Sequence, residues 1–88
     1  MTVKIEIFSS PGCGKCGQSI LILRKVAAEF ADQQVNWREV NVLDELDYAV
    51  SLGIVTTPAI AINGQICYTG MPSAAKLRQH IQTSLTRK

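Results

Sequence analysis

The alternation of apolar and polar residues predicts two β-strands and one long helix in the first half of the chain. In residues 3–8, Val3, Ile5 and Ile7 alternate with Lys4, Glu6 and Phe8, which is the period-2 pattern of a strand. From about residue 14 to residue 32, apolar residues recur at helical spacing on one face, namely Cys16, Ile20, Leu23, Ala27, Phe30 and Ala31. Residues 35–42 predict a second strand, and its less regular alternation is typical of a sheet edge.

A short second helix is predicted over residues 44–52. Asp44 is a candidate N-cap, because its carboxylate can accept hydrogen bonds from the free N–H groups of the first turn. Gly53 follows the last helical residue, where a left-handed backbone conformation commonly ends a helix. Both end signals therefore agree with a helix of about two turns.

A β-hairpin and a final helix complete the chain. Asn63-Gly64 is a strong signal for a type I′ turn, so the strands predicted at residues 59–62 and 65–69 should pair antiparallel. The final helix is predicted over about residues 73–85, where one face carries Ala74, Leu77, Ile81 and Leu85.

The resulting order of elements, β-α-β-α-β-β-α, predicts an α/β fold with a mixed four-stranded sheet and three helices. The strand-helix-strand beginning requires a right-handed crossover and a parallel pair, to which the hairpin adds antiparallel strands. The sequence contains no linker, repeat or low-complexity segment. We therefore expect a single domain over residues 1–88.

Composition agrees with a folded domain and excludes several classes of protein. Hydrophobic residues make up 47% of the 88 residues and charged residues 18%, which excludes a disordered chain. A net charge of +2 is far below that of a typical nucleic-acid-binding domain, and no apolar stretch approaches the ~18 residues of a membrane span. Lys4 and Glu6 interrupt the first apolar run, which therefore cannot be a signal-peptide core. We expect a cytoplasmic monomer that binds neither nucleic acid nor membrane.

Two of the three cysteines lie close together in Cys13-Gly14-Lys15-Cys16, where a loop after the first strand opens the first helix. Three cysteines are too few for a disulfide-stapled scaffold, and the number is odd. Free N–H groups and the macrodipole at a helix N-terminus lower the pKa of a nearby thiol, and Lys15 adds positive charge. The motif therefore favours a redox pair. We expect the outer Cys13 to attack a disulfide and Cys16, on the apolar face, to resolve the mixed disulfide.

The C-x-x-C spacing also matches half of a metal site. A structural zinc site takes about four Cys or His ligands, and the only other soft ligands here are the single residues Cys67 and His80. A copper- or zinc-binding module is therefore one alternative, and a non-catalytic interaction domain is another. We predict no metal site, and we expect Cys67 to fill space in the core and His80 to lie on the surface.

Three features together give the sequence a family resemblance that covers about residues 3 to 85. They are the cysteine pair after the first strand, Thr57-Pro58 before the third strand, and the Asn63-Gly64 hairpin followed by Gly70 and a last helix. With these features the chain is similar to the small thioredoxin-like and glutaredoxin-like members of the thioredoxin superfamily. The resemblance implies a thioredoxin-like fold and a dithiol–disulfide oxidoreductase.

The resemblance also implies how a substrate is held. It implies a cis peptide bond between Thr57 and Pro58, and a Thr57 backbone that hydrogen-bonds a bound chain as an added strand does. We expect the other substrate-binding residues to be Gly12, Lys15, Gly70 and Met71. The expected substrates are disulfides of proteins or of small thiols, and no bound cofactor is needed. Electrons would come from a flavin-dependent disulfide reductase or from glutathione.

The chain departs from the patterns of this superfamily at three places. Typical thioredoxins carry tryptophan before the first cysteine, where this chain has Gly12, and a buried acid at the position of Ile7. The neighbouring Glu6 is predicted to point to the opposite face of the sheet. Glutaredoxins usually present Gly-Gly and an acid before the last helix, whereas the segment around Gly70 has no acid.

Overall fold

A computed structural model describes residues 3–30, 32–70 and 72–86 of the chain. The elements follow the predicted order, with bounds β1 (Val3–Ser9), α1 (Cys16–Ala28), β2 (Val35–Asn41), α2 (Leu46–Leu52), β3 (Ala59–Ile62), β4 (Gln65–Tyr68) and α3 (Ala74–Thr86). Within the described residues, none of the helices is long and apolar enough to cross a bilayer.

The four strands form one mixed sheet in the order β2-β1-β3-β4. β1 runs parallel to β2 and antiparallel to β3, and β3 pairs antiparallel with β4. The turn between the last two strands has positive φ at both Asn63 (54°) and Gly64 (82°), as a type I′ turn requires. The predicted fold class, the parallel pair and the hairpin are all confirmed.

Helices cover both faces of the sheet, and the two faces differ in composition. The face toward α1 and α3 carries large aliphatic side chains, and its buried cluster contains Val3, Ile5, Ile7, Leu23, Val26, Phe30, Ile60, Ile62, Leu77 and Ile81. The face toward α2 is built from smaller residues, and its buried cluster contains Phe8, Val40, Ala49, Ala59 and Ala61. Strand alternation explains this division, because neighbouring residues of β1 and β3 point to opposite faces.

The first helix is shorter than its hydrophobic pattern predicts. It begins at Cys16, with Lys15 as N-cap, rather than at Gly14. At its other end, Glu29 N–H donates to the Val26 carbonyl at 3.1 Å, and this three-residue spacing tightens the last turn. The pattern predicts a helix to about residue 32, whereas the helix ends at Ala28. Residue 31 lies outside the described residues. The late start places Cys13 in the loop and Cys16 at the first helical position.

The second helix does not use Asp44 as its N-cap, so that expectation is wrong. The N-cap is Glu45, and its side chain makes no capping hydrogen bond. The turn into the helix comes from Asn41, whose Oδ1 accepts a hydrogen bond from the Leu43 backbone N–H at 2.9 Å. Gly53 ends the helix at φ 82° as predicted, in the left-handed conformation that favours glycine.

Candidate active site

The two cysteines lie at the carboxyl end of the central strand β1, where the chain turns into α1. Cys13 and Cys16 are joined by a disulfide, with their Cα atoms 5.5 Å apart. The loop is closed by the Cys13 N–H, which donates to the Ser10 carbonyl at 3.2 Å. The first turn of α1 contains no acidic residue, and the side chain of the N-cap residue Lys15 makes no capping hydrogen bond. The positive end of the helix is therefore available to an anionic sulfur.

The two sulfur-bearing residues differ in accessibility. Cys16 is only 4% exposed, whereas Cys13 is half-buried. Cys16 is followed one turn later by Ser19, whose hydroxyl donates to the Lys15 carbonyl at 2.9 Å and whose N–H donates to the same oxygen. These bonds fix the first turn. An incoming disulfide can therefore approach Cys13, while Cys16 faces the protein interior.

The Thr57-Pro58 loop lies against the loop that carries Cys13. The peptide bond between Thr57 and Pro58 is cis, which confirms the geometry that the resemblance implied. Ser10 Oγ and Thr57 Oγ1 are 2.8 Å apart and share a hydrogen bond between the two loops. Pro58 is buried and Thr57 is half-buried. The structure thus brings the predicted proline loop and the predicted cysteine loop together.

The remaining predicted residues are placed less closely together. Gly12 is exposed with φ 81°, a backbone conformation that explains glycine rather than a larger residue before Cys13, although a Cβ there would meet no atom within 4 Å. Lys15 is exposed at the helix end. Among the described residues, Gly70 lines a separate cleft with Tyr68, Thr69, Pro72, Ser73 and Lys76. Met71 lies outside the described residues, so its predicted role is not addressed by the structure.

Sequence reasoning missed a polar network on the α2 side of the sheet. Glu6 is only 1% exposed and is held from two sides. The Tyr48 hydroxyl donates to Glu6 Oε1 at 2.5 Å, and Arg38 Nε donates to Glu6 Oε2 at 3.0 Å. Arg38 also forms two hydrogen bonds to Glu45, at 3.0 and 3.2 Å. The hydrogen bond to Glu6 is the main cause that raises the pKa of Tyr48.

The position of Ile7, where thioredoxins carry a buried acid, is fully buried in the aliphatic cluster. Glu6 points to the opposite face, as strand alternation predicts, and is bound there by Tyr48 of α2. The position of Glu6 on β1 is the one indication of its burial that the sequence offers, because a central strand of a sheet covered on both sides has no solvent-facing side.

The third cysteine lies away from the pair, on the edge strand β4. Cys67 is half-buried and packs against the aliphatic cluster rather than within it. Its Sγ lies 3.8 Å from His80 Nε2, and His80 Nδ1 lies 2.9 Å from the Tyr68 hydroxyl. His80 is therefore half-buried, and it has ring partners that the sequence does not indicate. Burial raises the pKa of the Cys67 thiol.

No group of three or more His, Cys, Asp or Glu side chains in residues 3–30, 32–70 and 72–86 is placed to hold a metal ion. The element order also differs from the β-α-β-β-α-β order of small copper chaperones, because this chain places its hairpin after the second helix and then ends in a helix. The described geometry is therefore that of a paired-thiol site.

Comparisons with known proteins agree with this geometry. A family model described as a thioredoxin domain matches residues 1–82. A protein named "Probable Thioredoxin" from Methanothermobacter marburgensis is 32% identical, covering 97% of this chain and 99% of its own length. The "Thioredoxin" of Methanocaldococcus jannaschii is 35% identical, covering 94% and 96%. A solved structure titled as thioredoxin-2, a component of malaria parasite protein secretion machinery, superimposes with a TM-score of 0.79 at 16% identity, covering 93% of this chain and 82% of its own.

Proposed function

The chain belongs to the thioredoxin family, and we propose that it reduces disulfides with Cys13 as the attacking thiol and Cys16 as the resolving thiol. The family relationship and the Cys13–Cys16 disulfide support a thiol–disulfide oxidoreductase. The observation that carries the assignment of roles is the difference in burial, because Cys16 is 4% exposed while Cys13 is half-buried at the helix end.

The proposed reaction has two exchange steps. The Cys13 thiolate attacks one sulfur of the substrate disulfide, so that a mixed disulfide forms and the first substrate sulfur leaves as a thiolate and takes a proton. Cys16 then loses its proton and attacks the Cys13 sulfur, which releases the second substrate thiol. The substrate gains two electrons from the protein, whose two thiols are thereby oxidised to the Cys13–Cys16 disulfide. An external dithiol donor reduces that disulfide again.

Substrate binding is proposed to use the backbone beside the cysteine pair. Thr57 precedes the cis proline, and its loop is tied to the cysteine loop by the 2.8 Å contact between Ser10 and Thr57. An extended substrate chain can add to this edge through main-chain hydrogen bonds. Gly12 leaves open space beside Cys13, and Lys15 offers a positive charge. Gly70, which lines a separate cleft, and Met71 are proposed as further substrate-binding residues on the family resemblance alone.

We propose that the electron donor is a flavin-dependent disulfide reductase, as for thioredoxins, rather than glutathione. The names of the related proteins support this choice. The segment around Gly70 also lacks the acid with which glutaredoxins hold the amino end of glutathione. A reducing compartment such as the cytoplasm would keep the pair in its working state. The protein is proposed to act there as a single-domain monomer.

Cysteine variants test the proposed roles. Cys13→Ser is expected to abolish disulfide reduction, and Cys16→Ser is expected to accumulate a mixed disulfide through Cys13, detected by mass spectrometry of the intact protein. Cys67→Ser is the matched control and should retain turnover. A fully active Cys13→Ser protein would overturn the assignment. Parallel assays with a flavin-dependent thioredoxin reductase and with glutathione then identify the donor, and turnover with glutathione alone would make the protein glutaredoxin-like.

A further inference from the structure

An irregularity in the edge strand β4 turns two consecutive side chains to the same face of the sheet. Tyr68 lies opposite Ile60 on β3, while Ile66 lies opposite the next residue, Ala61. Cys67 is therefore the extra residue of a β-bulge, which interrupts the usual alternation of side chains between the two faces. Cys67 and Tyr68 consequently both pack against the aliphatic cluster on the side of α3.

On that side the two residues meet the imidazole ring of His80, which belongs to α3. The Sγ atom of Cys67 lies 3.8 Å from Nε2 of His80, and the Tyr68 hydroxyl lies 2.9 Å from Nδ1. The rings of Tyr68 and His80 pack edge to face, with their centroids 5.6 Å apart. Because the hydroxyl engages Nδ1, the other ring nitrogen is turned toward the sulfur. We call Cys67, Tyr68 and His80 the β4–α3 cluster.

The hydrogen bonds of this cluster leave a nitrogen lone pair facing a thiol. When neutral His80 carries its proton on Nδ1, that N–H donates to the Tyr68 oxygen and Nε2 has a free lone pair. Histidines that ligate metals have the same arrangement, in which a hydrogen bond to the second ring nitrogen fixes the ring. The Cys67 thiol donates to the Gln65 carbonyl at 3.5 Å, and a thiol is a weak donor that loses little when this bond is given up.

The separation between the sulfur and the nitrogen fits a closed-shell metal ion. Zn²⁺ binds a thiolate sulfur at about 2.3 Å and an imidazole nitrogen at about 2.0–2.1 Å. With these bond lengths the two ligand atoms are about 3.6 Å apart at a tetrahedral angle and about 4.3–4.4 Å apart in a linear arrangement. The observed separation of 3.8 Å lies within this interval. An ion can therefore be bound by both atoms without a shift of β4 or α3.

The surroundings of the β4–α3 cluster allow an ion to enter and favour a low charge. Cys67 is half-buried, and His80 lines an open cleft of about 290 Å³ together with Tyr68, Lys76, Gln79 and Thr83. Lys76 brings a positive charge to this cleft, which disfavours a divalent ion more than a monovalent one. A monovalent ion bound to one thiolate and one neutral imidazole forms a complex without net charge, so the lysine does not repel it.

The number of available ligands also distinguishes between metals. In structural sites Zn²⁺ takes about four protein ligands. The described part of the chain contains no group of three or more His, Cys, Asp or Glu side chains placed to hold a metal, so Cys67 and His80 would leave half of a zinc shell to water. Cu⁺ is a soft ion that selects thiolate sulfur and is well suited to imidazole, and a pair of such ligands satisfies it. The ligand set therefore favours Cu⁺.

We propose that the β4–α3 cluster is a Cu⁺-binding site, with Cys67 Sγ and His80 Nε2 as ligands and Tyr68 as the positioning residue of the imidazole. On binding, the S–H bond of Cys67 breaks, one Cu–S and one Cu–N bond form, and the proton leaves to solvent. No electron is transferred. The site does not depend on the redox pair, since Cys67 is free while Cys13 and Cys16 are joined.

Competition for Cu⁺ with a chromophoric chelator tests the proposal. The protein is the full chain carrying Cys13→Ser and Cys16→Ser, so the redox pair cannot take the ion, and ascorbate under nitrogen keeps copper as Cu⁺. We expect one tightly bound Cu⁺ per chain, and none after Cys67→Ser is added. Zn²⁺ should bind at least about a hundredfold more weakly, because it lacks half of its ligands. Equal or tighter binding of Zn²⁺ would overturn the choice of metal.

Substitutions of the other two residues distinguish a built site from a single thiol. His80→Gln removes the nitrogen ligand and should weaken Cu⁺ binding by about a hundredfold or more. Tyr68→Phe removes only the hydroxyl and should weaken it by about tenfold, as loss of an outer hydrogen-bond partner does at other metal sites. Gln79→Ala is the matched control, because Gln79 lines the same cleft without contributing a ligand, and it should leave the affinity unchanged. Unchanged affinity in His80→Gln would overturn the proposal.

Two further measurements separate positioning from a general effect on the fold. The ¹⁵N shifts of His80 should report the Nδ1-protonated tautomer in the parent protein and a mixture of tautomers in Tyr68→Phe, and identical tautomers would exclude Tyr68 as the positioning residue. In unsubstituted protein with the pair oxidised, equimolar Cu⁺ should slow the alkylation of Cys67 by iodoacetamide at least about tenfold. An unchanged rate would overturn the site. Neither measurement uses disulfide reduction, so a failure of the proposed function would leave this inference intact.

Discussion

The hydrogen bond between Tyr48 and Glu6 should make a measurable contribution to the stability of the fold. Replacing Tyr48 by phenylalanine removes only the hydroxyl, which donates to the buried Glu6 Oε1 at 2.5 Å. Glu6 is 1% exposed, so water cannot replace the lost donor freely. Tyr48→Phe is therefore expected to lower the free energy of unfolding.

The size of the loss follows from the charge and burial of the acceptor. A hydrogen bond to a charged group contributes about 1.5–3 kcal/mol, and the lower half of that range applies because Tyr48 is only half-buried. A loss of about 2 kcal/mol corresponds to a fall in Tm of about 8–16 °C for a domain of this length. In a Glu6→Gln background the same bond joins neutral groups, so Tyr48→Phe should then cost about 1 kcal/mol. The double-mutant cycle therefore predicts a coupling energy of about 1 kcal/mol.

Equilibrium unfolding in urea provides the assay, with the fluorescence of Trp37, the single tryptophan, as the probe. The m-value should stay constant, since the exposed surface hardly changes. Tyr68→Phe is the matched control: its hydroxyl lies 2.9 Å from the His80 ring rather than from a carboxylate, so a smaller loss of about 1 kcal/mol is expected. A cost of Tyr48→Phe below about 0.5 kcal/mol, or the same cost in both Glu6 backgrounds, would refute the reasoning.

The same bond also predicts a dependence on alkaline pH. The hydrogen bond to Glu6, and after it burial, raises the pKa of Tyr48 above its usual value of about 10. A group whose pKa is higher in the folded state stabilises the fold below its unfolded pKa, and that stability is lost as the pH rises through the folded pKa. Above about pH 10 the free energy of unfolding of the wild-type protein should therefore fall more steeply than that of Tyr48→Phe. Identical alkaline profiles for the two proteins would contradict this assignment.

Three further predictions concern other parts of the fold. Burial raises the pKa of the Cys67 thiol, so in reduced protein iodoacetamide at neutral pH should alkylate it more slowly than Cys13, and equal rates would contradict this. Gly53→Ala should cost about 1–2 kcal/mol in urea unfolding because φ is 82° there, and an unchanged midpoint would refute that reason. The hydrogen bond from Arg78 lowers the pKa of Glu29, so NMR titration of Arg78→Gln should show that pKa rising toward 4.5. The ion pair stabilises the fold above that pH, and the stabilisation is lost as the pH falls. An unchanged Glu29 pKa in the variant would exclude Arg78 as the cause.

Most of the architecture could be predicted because it depends on local signals. Period-2 and helical patterns give the elements in order, and Asn63-Gly64 alone sets the hairpin through its two positive φ angles. The cysteine pair could be located for the same reason, since its chemistry depends on the adjoining helix end. The cis bond before Pro58 came from family resemblance, because the residues themselves give no sign of it.

The two misses have different causes, of which the first is a competing local turn and the second a contact between two elements. Asp44 has the side chain of an N-cap, but Asn41 closes the turn and moves the helix start to Leu46. His80 stands beside apolar residues on a helix and gives no sign of a partner. Its bond to Tyr68 exists only because β4 lies next to α3 in the folded chain. Local propensity contains no information about such contacts.

The arrangement of α2 shows why its pattern of burial could not be predicted from the sequence. Its apolar residues do not sort by size: the small Ala49 is buried, while the larger Leu46 and Val50 are exposed. The sheet opposite presents Ala59, Ala61 and the charged Glu6, so a close approach requires a small helix residue, and Tyr48 must reach inward to bind the carboxylate. Once that side is fixed, the larger residues have no internal surface to cover. Leu46 and Val50 therefore stay exposed on the outer side of α2.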